Sequence, residues 1–180
     1  FNRHGISPAA FEAELEAFER RFGGPPGAVV VGSRMTYWSH GVADSIARCR
    51  ARWGSAAPIA LGGIYATLLP GHARRHSGAD IVFEGQAFES FPRWLRERFP
   101  ARAAAIHAVP ENLDSWPRPA VDLCHGRKAL PLLMSLGCPG RCAYCASALL
   151  APRRLRRSAE SAHAELADHA ERFGAEDIAF

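Results

Sequence analysis

The chain has 180 residues, 48% of them hydrophobic, enough to bury a globular core in one domain or in parts of two. Lys and Arg number 22 against 18 for Asp and Glu, an excess too small to argue by itself for nucleic acid, and no run is apolar enough to span a membrane. The odd total of five cysteines and the lack of a recognisable secretory leader argue against a disulfide framework and lead us to expect a cytoplasmic protein.

Ser7-Pro8 reads as a helix cap followed by proline at the first helical position, and Phe11, Leu15, Phe18 and Phe22 recur at helical spacing until Gly23-Gly24-Pro25-Pro26 ends the run. The β-branched stretch from Ala28 to Val31, closing on Gly32, fits a buried parallel strand. A second helix follows with Val42, Ile46, Cys49 and Trp53 on one face, which makes Cys49 a small core residue. Ile59 to Leu61 predicts a strand ending at Gly62-Gly63, then comes a short helix around His72, a strand from Ile81 to Phe83 closed by Glu84-Gly85, and a helix from about Glu89 to Phe99. This alternation predicts an α/β domain over residues 1–99, a Rossmann-like parallel sheet with helices on both faces. It opens on a helix and on Phe1 rather than Met, so a leading strand is expected upstream and the chain is expected to be a fragment of a longer protein.

Residues 100–129, rich in Pro and Ala and without a period, are expected to be a linker between domains. Residues 130–180 then read as a second domain. Leu130 to Leu136 predicts a strand, Ser158 caps a helix whose inner face includes Ala162, Leu166, Ala170 and Phe173, Gly174 stops it, and a last strand starts near Asp177. That is one and a half strand-helix units of a partial (β/α) barrel, a fold that places its sites at the C-terminal ends of its strands.

The chemistry concentrates in the loop after the first of those strands. Cys138-Pro-Gly-Arg-Cys142-Ala-Tyr-Cys145 is a CxxxCxxC spacing, and Gly137 and Gly140 let so short a loop wrap closely. Three thiolates can hold three irons of a cubane cluster and leave the fourth open to a small molecule, whereas the four-cysteine spacings of electron-transfer ferredoxins fill every iron. The plainer alternative is structural zinc with Cys124 or His125 as fourth ligand; against it, zinc sites usually pair two CxxC-like knuckles and no second knuckle exists here. Cys124 has no other assignment.

CxxxCxxC with an aromatic residue before the last cysteine, here Tyr144, resembles the signature of the radical S-adenosylmethionine enzymes. The resemblance implies that Cys138, Cys142 and Cys145 ligate a 4Fe-4S cluster, with no catalytic residue beyond these ligands, and that Tyr144 lies near the adenine of S-adenosylmethionine. In that superfamily the free iron chelates the amino and carboxylate groups of S-adenosylmethionine, and an electron from the reduced cluster releases a 5'-deoxyadenosyl radical. An electron donor such as flavodoxin or ferredoxin is implied as partner.

The segments Gly32-Ser33-Arg34-Met35-Thr36-Tyr37-Trp38 and Leu61-Gly62-Gly63-Ile64-Tyr65-Ala66-Thr67, each following a strand, resemble the cobalamin-binding domain that precedes the barrel in many such enzymes. The resemblance implies cobalamin contacts from Ser33, Thr36, Gly62, Gly63, Tyr65, Thr67 and Gly85, at the strand ends where open α/β sheets bind ligands. The cobalt-ligating histidine motif DxHxxG is absent; His4-Gly5 does not match it, and a lone His40 reads as solvated. Trp38 is expected to pack under its loop.

Pro152-Arg153-Arg154-Leu155-Arg156-Arg157 is the one dense basic run, expected to be a solvated face ahead of the helix, with a phosphate-bearing or RNA substrate as the secondary reading. Together the two resemblances imply a cobalamin-dependent radical enzyme that methylates an unactivated carbon of a small molecule or peptide, with methylcobalamin as the methyl donor. The alternatives are a radical enzyme without methyl transfer, of the RNA methylthiotransferase kind or catalysing cyclisation or rearrangement, and a non-catalytic iron-sulfur or zinc protein.

Overall fold

A computed structural model of the protein describes residues 5–123 and 128–179. The chain divides into two compact units, Phe1–Ala87 and Phe88–Phe180. The helix that the sequence placed at the end of the first domain therefore groups with the residues that follow it.

The first unit is an α/β layer built on a three-stranded parallel sheet. Helix α1 (Pro8–Phe22) starts where the Ser7 hydroxyl accepts the Ala10 N–H at 3.1 Å and stops at Gly23, whose left-handed φ of 75° lets its N–H return to the Glu19 carbonyl. Strand β1 (Val29–Ser33) leads through a single 3-10 turn at Thr36–Trp38 into α2 (Ser39–Trp53). Next come β2 (Ile59–Gly63), α3 (Ile64–Leu68), α4 (Pro70–His76) and β3 (Ile81–Val82). The sheet order is β1-β2-β3, with Val29 opposite Ile59 and Ala60 opposite Ile81.

Burial follows position in the sheet. Ile59, Ala60 and Leu61 of the central strand are at most 1% exposed, as the sequence required, but Val30 of β1 is 57% exposed. The expectation of a fully buried first strand is corrected here: β1 is an edge strand, and only Val29 and Val31 turn toward the core. That core joins Leu15 of α1 to Val42, Ile46, Cys49 and Trp53 of α2, the four residues the helical period selects, and to Tyr65 and Ala66 of α3. Phe22, grouped with the apolar face of α1 by its spacing, is 61% exposed, its ring 4.6 Å from that of Phe18. Polar bonds tie the two helices together: Glu19 accepts from Arg52 at 2.7 Å and from the Trp53 indole at 2.6 Å. Asp80 caps the sheet from below by accepting the Ile59 N–H at 2.6 Å.

The second unit opens with α5 (Ser90–Arg98). The expected linker contains 3-10 turns at Pro100–Ala105, Leu113–Ser115 and Val121–Leu123, and two of its residues are anchored: Leu113 is 1% exposed and Val121 3%. Trp116 lies edge-on against Phe88 and donates to the Pro110 carbonyl at 2.8 Å. The predicted strand from Leu130 to Leu136 is two strands, β4 (Ala129–Pro131) and β5 (Ser135–Leu136). Pro131 stands in register with Ala179, and after Leu132 donates to the Ala179 carbonyl at 2.8 Å the chain leaves its first partner. Short helix α6 (Ser147–Leu150), β6 (Leu155–Arg156), α7 (Ala159–Phe173) and β7 (Asp177–Ala179) complete the unit. β4 pairs parallel with β7 across α7, and β5 pairs antiparallel with β6. The described residues thus hold a parallel strand-helix-strand unit and no closed barrel. None of their helices is long and apolar enough to cross a membrane.

One glycine fixes the strand ends of the first unit. Gly63 has φ 96°, and a Cβ there would lie 2.1 Å from the Ser33 carbonyl oxygen, inside any allowed contact. Gly63→Ala is expected to cost about 3 kcal/mol in urea unfolding, whereas Gly32→Ala, with nothing within 4 Å of the added carbon, should change stability by less than about 0.5 kcal/mol.

Candidate functional site

The cysteine loop begins where β5 ends. Gly137 takes φ 81°, and a Cβ there would sit 2.5 Å from the Arg153 carbonyl oxygen and 3.0 Å from that of Ala151. Only glycine permits this backbone-on-backbone contact, which seats the start of the loop against the segment before β6. Within the loop, a Cβ on Gly140 would lie 3.5 Å from the Cys138 sulfur and 3.6 Å from the Cys142 sulfur, so both thiols flank the same side of that residue. The Gly140 N–H donates to the Cys138 sulfur at 3.4 Å, and the Cys145 N–H donates to the Cys142 carbonyl at 3.0 Å.

All three cysteines are exposed and free of disulfides. Cys145 donates its thiol to the Ser147 hydroxyl oxygen at 3.1 Å, and side-chain and backbone hydrogen bonding with Ser147 holds that thiol below the ordinary thiol range. Cys49 is the opposite case: 4% exposed, with burial pushing its thiol up, it is the core residue its helical position implies. Tyr144 is 92% exposed and projects from the loop without packing. Cys124 and His125, weighed as a fourth ligand, lie outside the described residues.

Among the described residues, no three Cys, His, Asp or Glu side chains converge closely enough to hold a metal ion. The loop carries three thiols on one open turn without bringing them together as a ligand group. The donor set fits a three-thiolate cluster: the loop contributes sulfur only, the thiol of Cys145 is held below the ordinary thiol range, and the side of Gly140 between Cys138 and Cys142 carries no side chain of its own.

The strand-end residues of the first unit form a second grouping. Ser33 is 3% exposed; its hydroxyl donates to the Gly62 carbonyl at 2.5 Å and accepts the Ala66 N–H at 3.3 Å. Thr67 donates to the Gly63 carbonyl at 2.8 Å and accepts the Gly85 N–H at 3.0 Å. Five of the seven residues expected to contact cobalamin, Ser33, Gly62, Gly63, Thr67 and Gly85, are thus brought together at one edge of the sheet, and both hydroxyls are engaged in closing that edge. Tyr65 is drawn away from it: it is 1% exposed, its hydroxyl meets His72 Nδ1 at 2.8 Å, and burial raises its phenol. Thr36 opens the 3-10 turn after β1 and is half-buried.

Trp38 does not pack under its loop. It is 52% exposed and lies edge-on to Tyr37, 5.7 Å between ring centroids, beside an open groove of about 1080 Å³ that also takes in Arg34 and His40.

The basic run is not a uniformly solvated face. Arg153 pairs with Glu111 at 2.6 Å, and Arg157 is 7% exposed at its side chain and pairs at 2.7 Å with Glu165, itself 2% exposed. The buried face of α7 consists of Ala162, Glu165 and His169, one position away from the predicted stripe of Ala162, Leu166, Ala170 and Phe173. Apolar periodicity counted Glu165 and His169 as outside; the signal in the sequence was an arginine one residue before the helix cap with a glutamate two turns into the helix.

Neither protein-family models nor curated proteins give a match to this chain.

The Cys145–Ser147 contact is directly testable. The pH midpoint for alkylation of Cys145 in the metal-free chain should lie below that of an ordinary thiol, and Ser147→Ala should move it upward, slowing the reaction at neutral pH. Cys49 should stay unreactive until the chain is unfolded. An unchanged Cys145 midpoint in the variant, read by mass spectrometry, would contradict the assignment.

Proposed function

We propose that this chain belongs to a radical S-adenosylmethionine enzyme in which Cys138, Cys142 and Cys145 hold a 4Fe-4S cluster. The observation that carries the reading is a single glycine-formed loop presenting three exposed thiols at CxxxCxxC spacing, with no further ligand from its own residues. Such a cluster, when bound, supplies the electron that cleaves S-adenosylmethionine. The protein's part is to position and shield. Gly137 brings the loop onto the 151–153 backbone, Gly140 keeps the space beside two of the sulfurs clear, Ser147 stands beside the Cys145 sulfur and eases loss of its proton, and Tyr144 offers an aromatic face next to the last ligand.

The parallel β4-α7-β7 unit, with the cysteine loop lying between its first strand and its helix, after β5, supports reading the second unit as the opening of a (β/α) barrel. The first unit supports a Rossmann-like cobalamin domain through its parallel sheet, the Ser33–Gly63 approach and the polar edge of Ser33, Thr67 and Gly85. Of the residues expected to contact the cofactor, those at this edge are the better placed; Tyr65 acts from beneath, as a buried support. Methyl transfer to an unactivated carbon follows from the pairing of the two cofactors.

Anaerobic reconstitution with iron and sulfide should give a brown, oxygen-sensitive protein with about four irons per chain. Cys142→Ala should lose the stable cluster and Cys49→Ala should keep it; equal iron in both variants would overturn the ligand assignment, and stoichiometric zinc that survives air would favour a non-catalytic metal site. In the longest available form of the protein, supplied with cobalamin and reductant, the reading predicts 5'-deoxyadenosine together with S-adenosylhomocysteine. 5'-Deoxyadenosine alone would retain radical cleavage and remove methyl transfer.

A further inference from the structure

The segment from Arg153 to Ser158 is held at every second or third residue. Arg153 is paired with Glu111, the Arg157 N–H donates to the Met134 carbonyl at 3.0 Å, and the Ser158 N–H donates to Asp114 at 2.8 Å. Between them β6 pairs with β5, Leu155 opposite Leu136, and the carbonyls just before β6 are the ones that press on Gly137. This strap is therefore the surface on which the start of the cysteine loop rests.

One of its anchors differs in kind from the others. Glu111 is 81% exposed at its side chain, and an ion pair so open to water contributes little. Arg157 and Glu165 are buried at 7% and 2%, and breaking such a pair by removing one charge leaves the other without compensation in a poorly solvated site. His169, one turn further along α7 and 1% exposed, stands with Nε2 3.6 Å from the second Glu165 oxygen, too far for a hydrogen bond. Arg157 Nε, Glu165 Oε2 and both His169 ring nitrogens are buried without a hydrogen-bond partner among the described residues, so Arg157 and Glu165 meet as a close charge pair rather than through a well-aligned hydrogen bond. The carboxylate of that pair is fixed to the helix rather than to the strap.

We propose that Arg157 and Glu165 are positioning residues for the cysteine loop: their buried ion pair locks the strap to α7, and the strap in turn seats the loop that carries Cys138, Cys142 and Cys145. The proposal rests on the cluster reading for its functional meaning, while the mechanical coupling stands on the contacts alone. Neither residue touches the sulfurs; both act through β6 and Gly137.

Hydrogen exchange on the metal-free full chain tests the coupling without any cofactor. Glu165→Gln keeps the side-chain shape and removes the charge. It should speed exchange of the Arg157 amide and of the β5–β6 ladder roughly a hundredfold, with the amides of α7 and of Leu132 near their wild-type rates. Arg157→Lys retains the charge pair and should stay within about tenfold of wild type, which also keeps the test decisive if the first variant fails to fold. Unchanged exchange at the strap in Glu165→Gln would overturn the proposal, as would acceleration spread equally over α7, β4 and β7 in both variants, because the pair would then stabilise the unit as a whole. Iron loading supplies the second arm: Glu165→Gln should retain less iron per chain and show a broadened signal from the reduced cluster, whereas Arg157→Lys should keep both as in the wild type. A wild-type chain that takes up no iron would sink the cluster reading while the exchange result still decided whether the pair seats the loop.

Discussion

The contact between Gly137 and the carbonyl oxygens of Ala151 and Arg153 is the constraint on which the cysteine loop depends. It forces the chain to turn back on itself immediately after β5, so that the three cysteines are spent on an outward turn rather than on extending a strand. Everything around that point serves the same closure: the antiparallel β5–β6 pair, the Arg157 N–H on Met134, and the ion pair that ties the strap to α7. A loop with three exposed thiols would otherwise have little reason to stay in one place, since it buries almost no apolar surface and pays the full entropy of ordering its backbone.

The first unit solves a similar problem in a different way. Its sheet ends in glycines, which bring backbone to backbone at Ser33 and Gly63, and the polar groups released there are satisfied by two hydroxyls, Ser33 and Thr67, each both donating and accepting. A strand-end edge closed in this way is rigid and free of bulky side chains. Those are the properties a flat ligand needs of a docking edge, and they are also properties a tight turn needs for itself, so the geometry serves the fold first and any cofactor second.

Much of the architecture was legible in the sequence because it obeys simple periods and caps. Ser7-Pro8, Ser158, Gly23 and Gly174 mark helix ends by chemistry that holds regardless of context, and the stripe Val42, Ile46, Cys49, Trp53 is the buried face of α2. The misreadings share one physical cause, which is that hydrophobicity was taken as a proxy for burial. Val30 is apolar and exposed because its strand is at an edge, Trp38 is apolar and exposed on the short β1–α2 connection beside an open groove, and Glu165 and His169 are charged or polar and buried where Arg157, just before the helix, meets the glutamate. A stretch continuous by apolar content alone divides into β4 and β5 because its two parts pair with different partners, β7 and β6. Within the candidate site, the ligand residues and the need for glycine could be read from spacing, whereas the strap that seats the loop involves Glu111, Asp114, Met134 and Glu165, residues tens of positions apart with no pattern to join them.

The central claim is that three thiolates hold a cluster with one iron left open to a small molecule. Electron paramagnetic resonance of the anaerobically reconstituted, reduced protein, recorded before and after adding S-adenosylmethionine, tests it most directly. The account predicts a 4Fe-4S signal whose line shape changes when S-adenosylmethionine binds the open iron. A cluster signal that S-adenosylmethionine leaves untouched in protein shown to be fully loaded, or a chain that holds zinc and gives no signal at all, would contradict it.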